Sequence, residues 1–334
     1  MAVTLKDVAQ LAGVSRSAVS RTFTDNASVS AKMRQKVEKA ARELGYSPNA
    51  LASSLTTGRT RLIGLVSNNF HNPIFLEVFD LFTRAIQDRG LRPLLVNLSD
   101  ETDPENSVRM LRQYSVDGVV LASSTLSPEF ALAFMDLEVP VVHSFGRKIN
   151  SPKLDIVGID NIACGRLAAR TLVERGYRNV GHIAGPVTAT SAQDRYKGFM
   201  EEMEKHPGVA VQTSFAEGYS FDAGRKEILR LLDSGPLAEA YFCGDDVLSF
   251  GVLSGLRERG LKVPEEVGII GLNDMKMAAW PVFDLTTIRQ PIPEIVETSV
   301  ERMSARLNDP DQKPGSTVFD CEVIERGTLR PLKT

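Results

Sequence analysis

Histidine and cysteine are scarce in this chain, with four and three in 334 residues. His71, His143, His182 and His206 show no H-E-x-x-H spacing, and His143 and His182 sit in or beside apolar runs where a hydrogen-bonded structural role is expected. Cys164, Cys243 and Cys321 lie far apart with no C-x-x-C pair, which gives neither a metal-ligand pattern nor a disulfide framework and suits a reducing compartment. There is no G-x-S-x-G elbow and no Walker A loop, so the commonest nucleophile and nucleotide sites are missing and no catalysis, metal or cofactor is expected. No apolar run approaches the roughly 20 residues of a membrane span, and no leader-like segment follows Met1, from which a cytoplasmic location is expected. Aromatic residues are 7% of the chain, with a single tryptophan, Trp280, in Ala-Ala-Trp-Pro; it could border a cleft or pack structurally.

Net charge is also small, −3, but it is unevenly distributed. Residues 1–61 hold ten Lys/Arg against four Asp/Glu, a net +6, and the remainder is −9. A basic module on an acidic body is the asymmetry expected of a nucleic-acid reader with a separate ligand domain. Within the basic stretch, Thr4 is placed to cap a helix with its hydroxyl, and Leu5, Val8, Ala9 and Ala12 recur at helical spacing until Gly13. Ser15 caps a second helix two residues later, and two helices joined by so short a Gly-containing turn make a helix-turn-helix. In that motif the start of the second helix meets base edges, which points to Arg16 and Ser17, with Arg21 one turn on. Ser30 caps a third helix with the apolar face Met33, Val37, Ala40, Ala41 and Leu44. Tyr46 to Leu55 follows as a short segment with Pro48 suited to a first helical turn, and 56–60 reads as a linker.

From Arg61 the pattern becomes strands alternating with helices. Strands are predicted over 62–66, 92–98, 117–122 and 140–144, with helices over 73–89, 103–114 (opening at an Asp103 cap) and 127–137. A second series has helices over 162–176, 191–205, 220–234 and 247–259, and strands over 179–184, 210–215, 240–243 and 267–272. A late helix, 293–307, and two short strands end the chain. Alternation with short connections calls for parallel, doubly wound sheets, and two such series imply two lobes with a cleft between them.

The motifs T-L-x-D-V-A at Thr4 to Ala9, V-S-x-x-x-R-x-K-V at Val29 to Val37 and Y-x-P-N-x-x-A-x-x-L at Tyr46 to Leu55 resemble the lactose-repressor (LacI/GalR) family of bacterial transcription regulators. The resemblance extends over nearly the whole chain, through Asn72-Pro-Ile-Phe75, Asp160-Asn161, Asp194-Arg-Tyr-Lys-Gly-Phe199, Gly244-Asp-Asp246, Gly271-Leu-Asn-Asp274 and Leu285 to Pro291. Asp245 and Asn273 depart from the family's usual Asn and Asp, and Val141 to Arg147 is an uncommon form.

It implies an all-α helix-turn-helix headpiece (1–47), a hinge helix and linker (48–60) ordered on DNA, and an α/β periplasmic-binding-protein-like core with parallel sheets (61–334). The N-lobe would take about 61–161 and 291–317, the C-lobe about 162–290 and 318–334. DNA contacts are expected from Thr4, Ser15, Arg16, Ser17, Arg21 and Ser28, then from Tyr46, Asn49, Ala52 and Leu55, the last as a minor-groove wedge. A polar effector such as a sugar needs forked hydrogen bonds and an aromatic platform, for which Phe70, Phe75, Arg147, Asp160, Arg195, Tyr219, Asp245 and Asn273 are candidates. The expected protein is a repressor that binds a pseudo-palindromic operator as a homodimer under control of a small-molecule effector, a carbohydrate, with no membrane partner. The tail after Val323 has no sustained heptad, so a dimer is expected rather than a coiled-coil tetramer. The alternative is a solute-binding protein of a transport system.

Overall fold

The computed structural model describes residues 3–24, 27–47, 49, 54–55, 57–98, 104–149 and 153–332. They divide into two compact units at Arg61/Leu62. The first contains α1 (Leu5–Ala12), α2 (Arg16–Thr22) and α3 (Ala31–Leu44). Thr4 and Asp7 form a capping box at the start of α1. Both the Thr4 amide and its hydroxyl donate to the Asp7 carboxylate, at 2.8 and 2.7 Å. That reach-back is the Asp7 side of the capping box and places a negative charge in the first turn. Ser15 and Ser30 do cap with their hydroxyls, accepting from the amides of Ala18 and Met33. Gly13, at φ +62°, lets the chain reverse between α1 and α2 without Cβ strain. Val8, Val19 and Val37, one from each helix, are fully buried with Ala9, Ala40 and Ala41. Each valine so buried stabilises the bundle by roughly 1.5–3 kcal/mol. Arg34 ties α3 to the end of α2 by donating to the Thr22 carbonyl at 3.0 Å.

The second unit carries two six-stranded sheets. In chain order its elements begin β1 (Leu62–Ser67), α4 (Ile74–Asp88), β2 (Arg92–Asn97), α5 (Glu105–Gln113), β3 (Gly118–Ala122), α6 (Pro128–Ala133), β4 (Val141–Ser144) and β5 (Asp155–Ile159). They continue with α7 (Asn161–Glu174), β6 (Asn179–Ala184), α8 (Thr190–Met203), β7 (Ala210–Phe215), α9 (Phe221–Ser234), β8 (Ala240–Cys243), α10 (Asp246–Glu258) and β9 (Gly268–Asn273). Last come β10 (Thr287–Arg289), α11 (Ile292–Asn308), β11 (Ser316–Phe319) and β12 (Glu322–Ile324). The sheet orders are β11-β5-β4-β3-β1-β2 and β12-β10-β9-β8-β6-β7, parallel throughout except for the β10/β12 pair. Helices cover both faces, which is why β3 and β8 read as continuous apolar runs and every residue in them is buried.

Three features differ from the sequence reading. β5 went unseen because it opens on a charge. Asp155 is 1% exposed and its carboxylate accepts from Arg302, Arg306 and the Gly315 amide, partners about 150 positions away in the chain. β10 is three residues long, too short for alternation to register. The single helix expected over 127–137 is α6 followed by a 3₁₀ turn, Phe134–Leu137, ended by Glu138 in the left-handed region at φ +58°. Asp103, the expected cap of α5, lies outside the described residues, as do most of residues 48–56.

The chain passes between the sheets three times: from β5 to α7, from β10 to α11, which packs under β3, β4 and β5, and from β11 to β12. These crossings form the hinge of the two-lobed core. In each sheet the order reverses beside the first strand of the series, between β2 and β3 around β1 and between β7 and β8 around β6. The carboxyl ends of those strands are where an open α/β sheet offers a ligand crevice.

Candidate functional site

In the headpiece, Thr4, Ser15, Arg16, Ser17, Arg21 and Ser28 are all exposed. Ser15 and Ser17 share a hydroxyl contact at 2.9 Å, and the Arg21 Nε donates to the Ser17 carbonyl at 3.4 Å, so these side chains sit together around the first turn of α2. Tyr46 is half-buried against Phe23, with ring centroids 6.0 Å apart, and its ring joins the headpiece core. Asn49 is exposed. Ala52 lies outside the described residues. Ser54 and Leu55 are helical, and Leu55 is 90% exposed, the most exposed large apolar side chain among the described residues.

In the core, the strand ends converge on a buried polar chain. Asp245 follows β8 and caps α10, accepting from the Val247 amide at 2.8 Å through Oδ1. Its Oδ2 accepts from two amides, Asn72 of the N-lobe at 2.9 Å and Asn273 at the end of β9 at 2.8 Å. Gln290, at the second crossing, donates to Asn273 Oδ1 at 2.6 Å. One hydrogen-bonded line therefore runs from the hinge across the cleft floor to the opposite lobe. Asp245 is 5% exposed, and burial raises its pKa against the opposing effect of the Val247 amide and the nearby Arg195 guanidinium.

Arg195 projects from α8 and is 4% exposed. Its Nε donates to Asn161 at 2.8 Å and one terminal nitrogen to the Gly244 carbonyl at 2.5 Å. The Tyr219 hydroxyl meets Ser191 at 3.2 Å, and burial raises its pKa. The ring lies so close to Gly185 that a Cβ there would come within 2.2 Å of it, which explains the glycine at the end of β6. Phe75 and Phe145 supply apolar wall, their ring centroids 6.4 Å apart. Phe145 and Asn273 both line this space and both hold positive φ, +65° and +133°. Such strain on non-glycine residues costs about 1–3 kcal/mol each and gathers at functional sites.

The lobes are closed over this network. The inner cavity, lined by Phe75, Arg195, Tyr219, Asp245 and Asn273 among others, holds about 20 Å³, little more than one water. It shares Asn69, Asn72 and Tyr219 with an outer pocket of about 550 Å³ that also meets His71, Thr125 and Glu217.

Three of the eight cleft candidates are placed elsewhere. Phe70 packs on Phe79 at a centroid separation of 4.9 Å. Arg147 bridges the lobes, pairing with Asp194 at 2.8 Å and donating to the Thr190 carbonyl at 2.9 Å. Asp160 is exposed and caps α7 through the Ala163 amide at 2.9 Å. Trp280 is 52% exposed and does not line the cavity. The sequence reading missed Asn69, Asn72, Ser124, Phe145 and Gln290; Asn72 and Gln290 lay inside the family-like motifs and Phe145 inside the Val141 to Arg147 segment, and that was the available signal.

Two histidines and a carboxylate need separate accounts. His143 Nε2 is 3.0 Å from the Ser123 carbonyl, and burial pushes its pKa down to about 4. His182 departs from the expected hydrogen-bonded role. Neither ring nitrogen has a protein partner, and the ring is stacked on Phe242 at 4.9 Å. Burial lowers its pKa to about 3, so it is a neutral part of the aromatic packing. Asp246, fully buried under the cleft, accepts from Thr287 at 2.5 Å and from the Met275 amide at 2.8 Å. Burial still pushes its carboxyl up to about 7. Among the described residues no cluster of His, Cys, Asp and Glu is arranged to hold a metal, and no helix is long and apolar enough to cross a membrane.

Comparison with known proteins agrees with this architecture. Residues 4–49 match the lacI family of bacterial regulatory proteins, and residues 169–329 match the periplasmic binding protein-like domain. The HTH-type transcriptional regulator DegA of Bacillus subtilis (strain 168) is 32% identical, with 100% of each chain covered. The lac repressor dimer bound to operator and the anti-inducer ONPF has a TM-score of 0.88 at 25% identity, covering 99% of this chain and 100% of that one. The transcriptional regulator CelR in complex with cellobiose has a TM-score of 0.72 at 30% identity, covering 98% and 99%. With full-length identity to a helix-turn-helix regulator, a matching headpiece and a two-lobed core, the chain belongs to the lacI family of bacterial regulatory proteins.

Proposed function

We propose that this protein is a homodimeric transcriptional repressor whose hold on a pseudo-palindromic operator is set by an uncharged polyhydroxy effector, a sugar or sugar derivative, bound between the lobes. The observation that carries the reading is the Asn72–Asp245–Asn273 chain beside Arg195 at the strand ends of both lobes. Asp245 accepts, Arg195 donates, the amides of Asn72, Asn273 and Gln290 do both, and Phe75 and Phe145 face the apolar side of a ring. No lysine lines the inner cavity or its outer pocket, and the one arginine already has two protein partners. That donor set suits hydroxyls better than a phosphate.

Entry of a ring requires Asn72 and Asp245 to part. A ligand that favours one lobe arrangement moves the equilibrium only by its difference in affinity for the two. In the headpiece, Arg16 and Ser17 read base edges in the major groove, Arg21 supports them, and Leu55 enters the minor groove as a wedge. For the dimer, Leu76 on α4 and Leu95 on the edge strand β2 are 75% and 51% exposed, an apolar pair suited to a second copy. The solved lac repressor, a dimer bound to its operator, supports a dimer on DNA as such. The test is a thermal-shift screen of sugars, sugar acids, sugar phosphates and nucleosides, since a ligand of the folded state raises the melting temperature. Hits are then added to a gel shift on operator-containing DNA. Stabilisation by a neutral sugar that also alters the shift is expected; stabilisation by phosphorylated sugars alone would overturn the effector assignment.

A further inference from the structure

The closed lobes leave two adjoining spaces of very different size. The inner cavity holds about 20 Å³ and the outer pocket about 550 Å³. Asn69, Asn72 and Tyr219 line both and form the neck between them. The outer walls come from the carboxyl ends of strands in both sheets, the loops after β1 and β3 on one side and those after β6 and β7 on the other. Internal bonds hold these walls. Asn68 accepts from the Ser123 hydroxyl at 2.7 Å and donates to the Thr125 hydroxyl at 2.8 Å. The Ala189 amide donates to the Pro186 carbonyl at 2.9 Å, and Ser220 is fixed as the cap of α9. Between the lobes, the Ser124 carbonyl accepts from the Ser191 amide at 3.2 Å and from the Thr190 hydroxyl at 3.1 Å, and Arg147 adds its pair with Asp194. The outer pocket is therefore a chamber of the closed arrangement, within the range of about 300–1,000 Å³ that takes a whole small ligand. The inner cavity takes a ring only by parting Asn72 from Asp245.

We propose that the effector is a neutral disaccharide, with one ring in the inner cavity against Phe75 and Phe145 and the second ring in the outer pocket, beyond the neck of Asn69, Asn72 and Tyr219. This rests on the carbohydrate reading above and adds the size of the ligand and the residues that select it. The outer wall has the chemistry of hydroxyl recognition. The Asn68 amide and the hydroxyls of Thr125, Thr188 and Ser220 each donate and accept, and among the described residues no lysine or arginine lines the pocket. Its one carboxylate, Glu217, already pairs with Lys226 at 2.7 Å, so an anionic second unit such as a phosphate meets a negative group and no cation in the lining. Tyr219 is the only phenyl-type ring in that lining, and its hydroxyl is engaged by Ser191 at 3.2 Å, so a nucleobase finds no second such ring to hold it in a stack. Gly218 marks unfilled space: a Cβ added there meets nothing within 4 Å. A ligand with one ring on each side of the neck touches loops of both sheets in both compartments, and those contacts are what give it a preference between lobe arrangements.

The experiment is calorimetric titration of the full-length protein with glucose, galactose, mannose and xylose, and with α- and β-linked disaccharides built from them. One disaccharide should bind roughly tenfold or more tighter than either of its component monosaccharides. Gly218→Trp, which fills the outer pocket, should bring that disaccharide to within about threefold of its monosaccharide and leave the monosaccharide Kd within about twofold of the parent. Thr188→Trp, at an exposed position of the same wall, should act in the same direction and decides the matter if Gly218→Trp fails to fold. A monosaccharide that binds as tightly as every disaccharide containing it would overturn the proposal and leave the carbohydrate reading standing. So would filling variants that fold and weaken both sugars equally, or neither. No binding by any neutral sugar, with binding by nucleosides or sugar phosphates instead, would defeat the carbohydrate reading itself and this inference with it.

Discussion

Replacing Arg195 by lysine separates what this residue does for the fold from what it does for a ligand. The guanidinium is 4% exposed and forks onto Asn161 and the Gly244 carbonyl. Lysine keeps the charge but not the planar fork, so one of these bonds is lost. A hydrogen bond to a charged group contributes about 1.5–3 kcal/mol, and about 2 kcal/mol lowers the melting temperature of a core this size by roughly 4–8 °C. Arg195 lines the cavity, so loss of one hydrogen bond to a ligand would cost a similar amount, and about 2 kcal/mol is roughly a thirtyfold rise in Kd. Calorimetric titration with the effector gives the second number, a thermal melt the first, and operator binding without effector should stay within about twofold of the parent. An effector Kd within twofold of wild type, despite the expected drop in melting temperature, would show that Arg195 is a strut between α7 and β8 and not a ligand contact.

Three further outcomes follow from other parts of the molecule. Arg16→Ala should relax base preference at one or two positions of each half-site at a loss of about 1–3 kcal/mol, read against a library of operator variants; unchanged preference removes Arg16 from base reading. Leu55→Ala should leave the core melting temperature and effector binding intact and weaken operator binding by roughly tenfold or more, since burying a leucine is worth about 1.5–3 kcal/mol; normal operator affinity refutes the wedge. Asp246 gives a pH signature. Its folded pKa, about 7, lies above the ordinary aspartate value of 3.8, so the folded state holds the extra proton and stability falls as pH rises between those values. Asp246→Asn keeps partners for Thr287 and Met275 without the charge, and it should gain roughly 2 kcal/mol on the parent between pH 5.5 and 8.5 in urea unfolding. A pH-independent difference would contradict the buried carboxylate's role.

Local signals in the sequence carried the headpiece well, because capping serines, a turn glycine and one apolar face per helix are all encoded within a few residues of each other. The strands buried on both faces were legible for a similar reason: runs such as Gly118–Ala122 are apolar without interruption. β5 was not, because Asp155 is made tolerable by Arg302, Arg306 and the Gly315 amide, which the sequence places far away. The cleft was legible where a residue is charged or aromatic. Arg195, Asp245 and Tyr219 stand out as types, whereas Asn69 looks like an ordinary loop residue, and Asn72 is marked only by its place in Asn72-Pro-Ile-Phe75. Arg147 illustrates the reverse: an arginine after a strand suggested a ligand contact, but its geometry joins it to Asp194 and the backbone of α8.

The most direct test is operator affinity by fluorescence anisotropy, with full-length protein and a labelled duplex recovered by selection, measured with and without saturating effector over a range of salt. The account predicts tight binding to a two-fold symmetric site, weakening steeply with salt, and a change of at least tenfold in Kd when effector is added, lost in Arg195→Lys at the same effector concentration. It is contradicted if no duplex is preferred over random DNA, or if a ligand that demonstrably fills the cleft leaves the operator Kd unchanged.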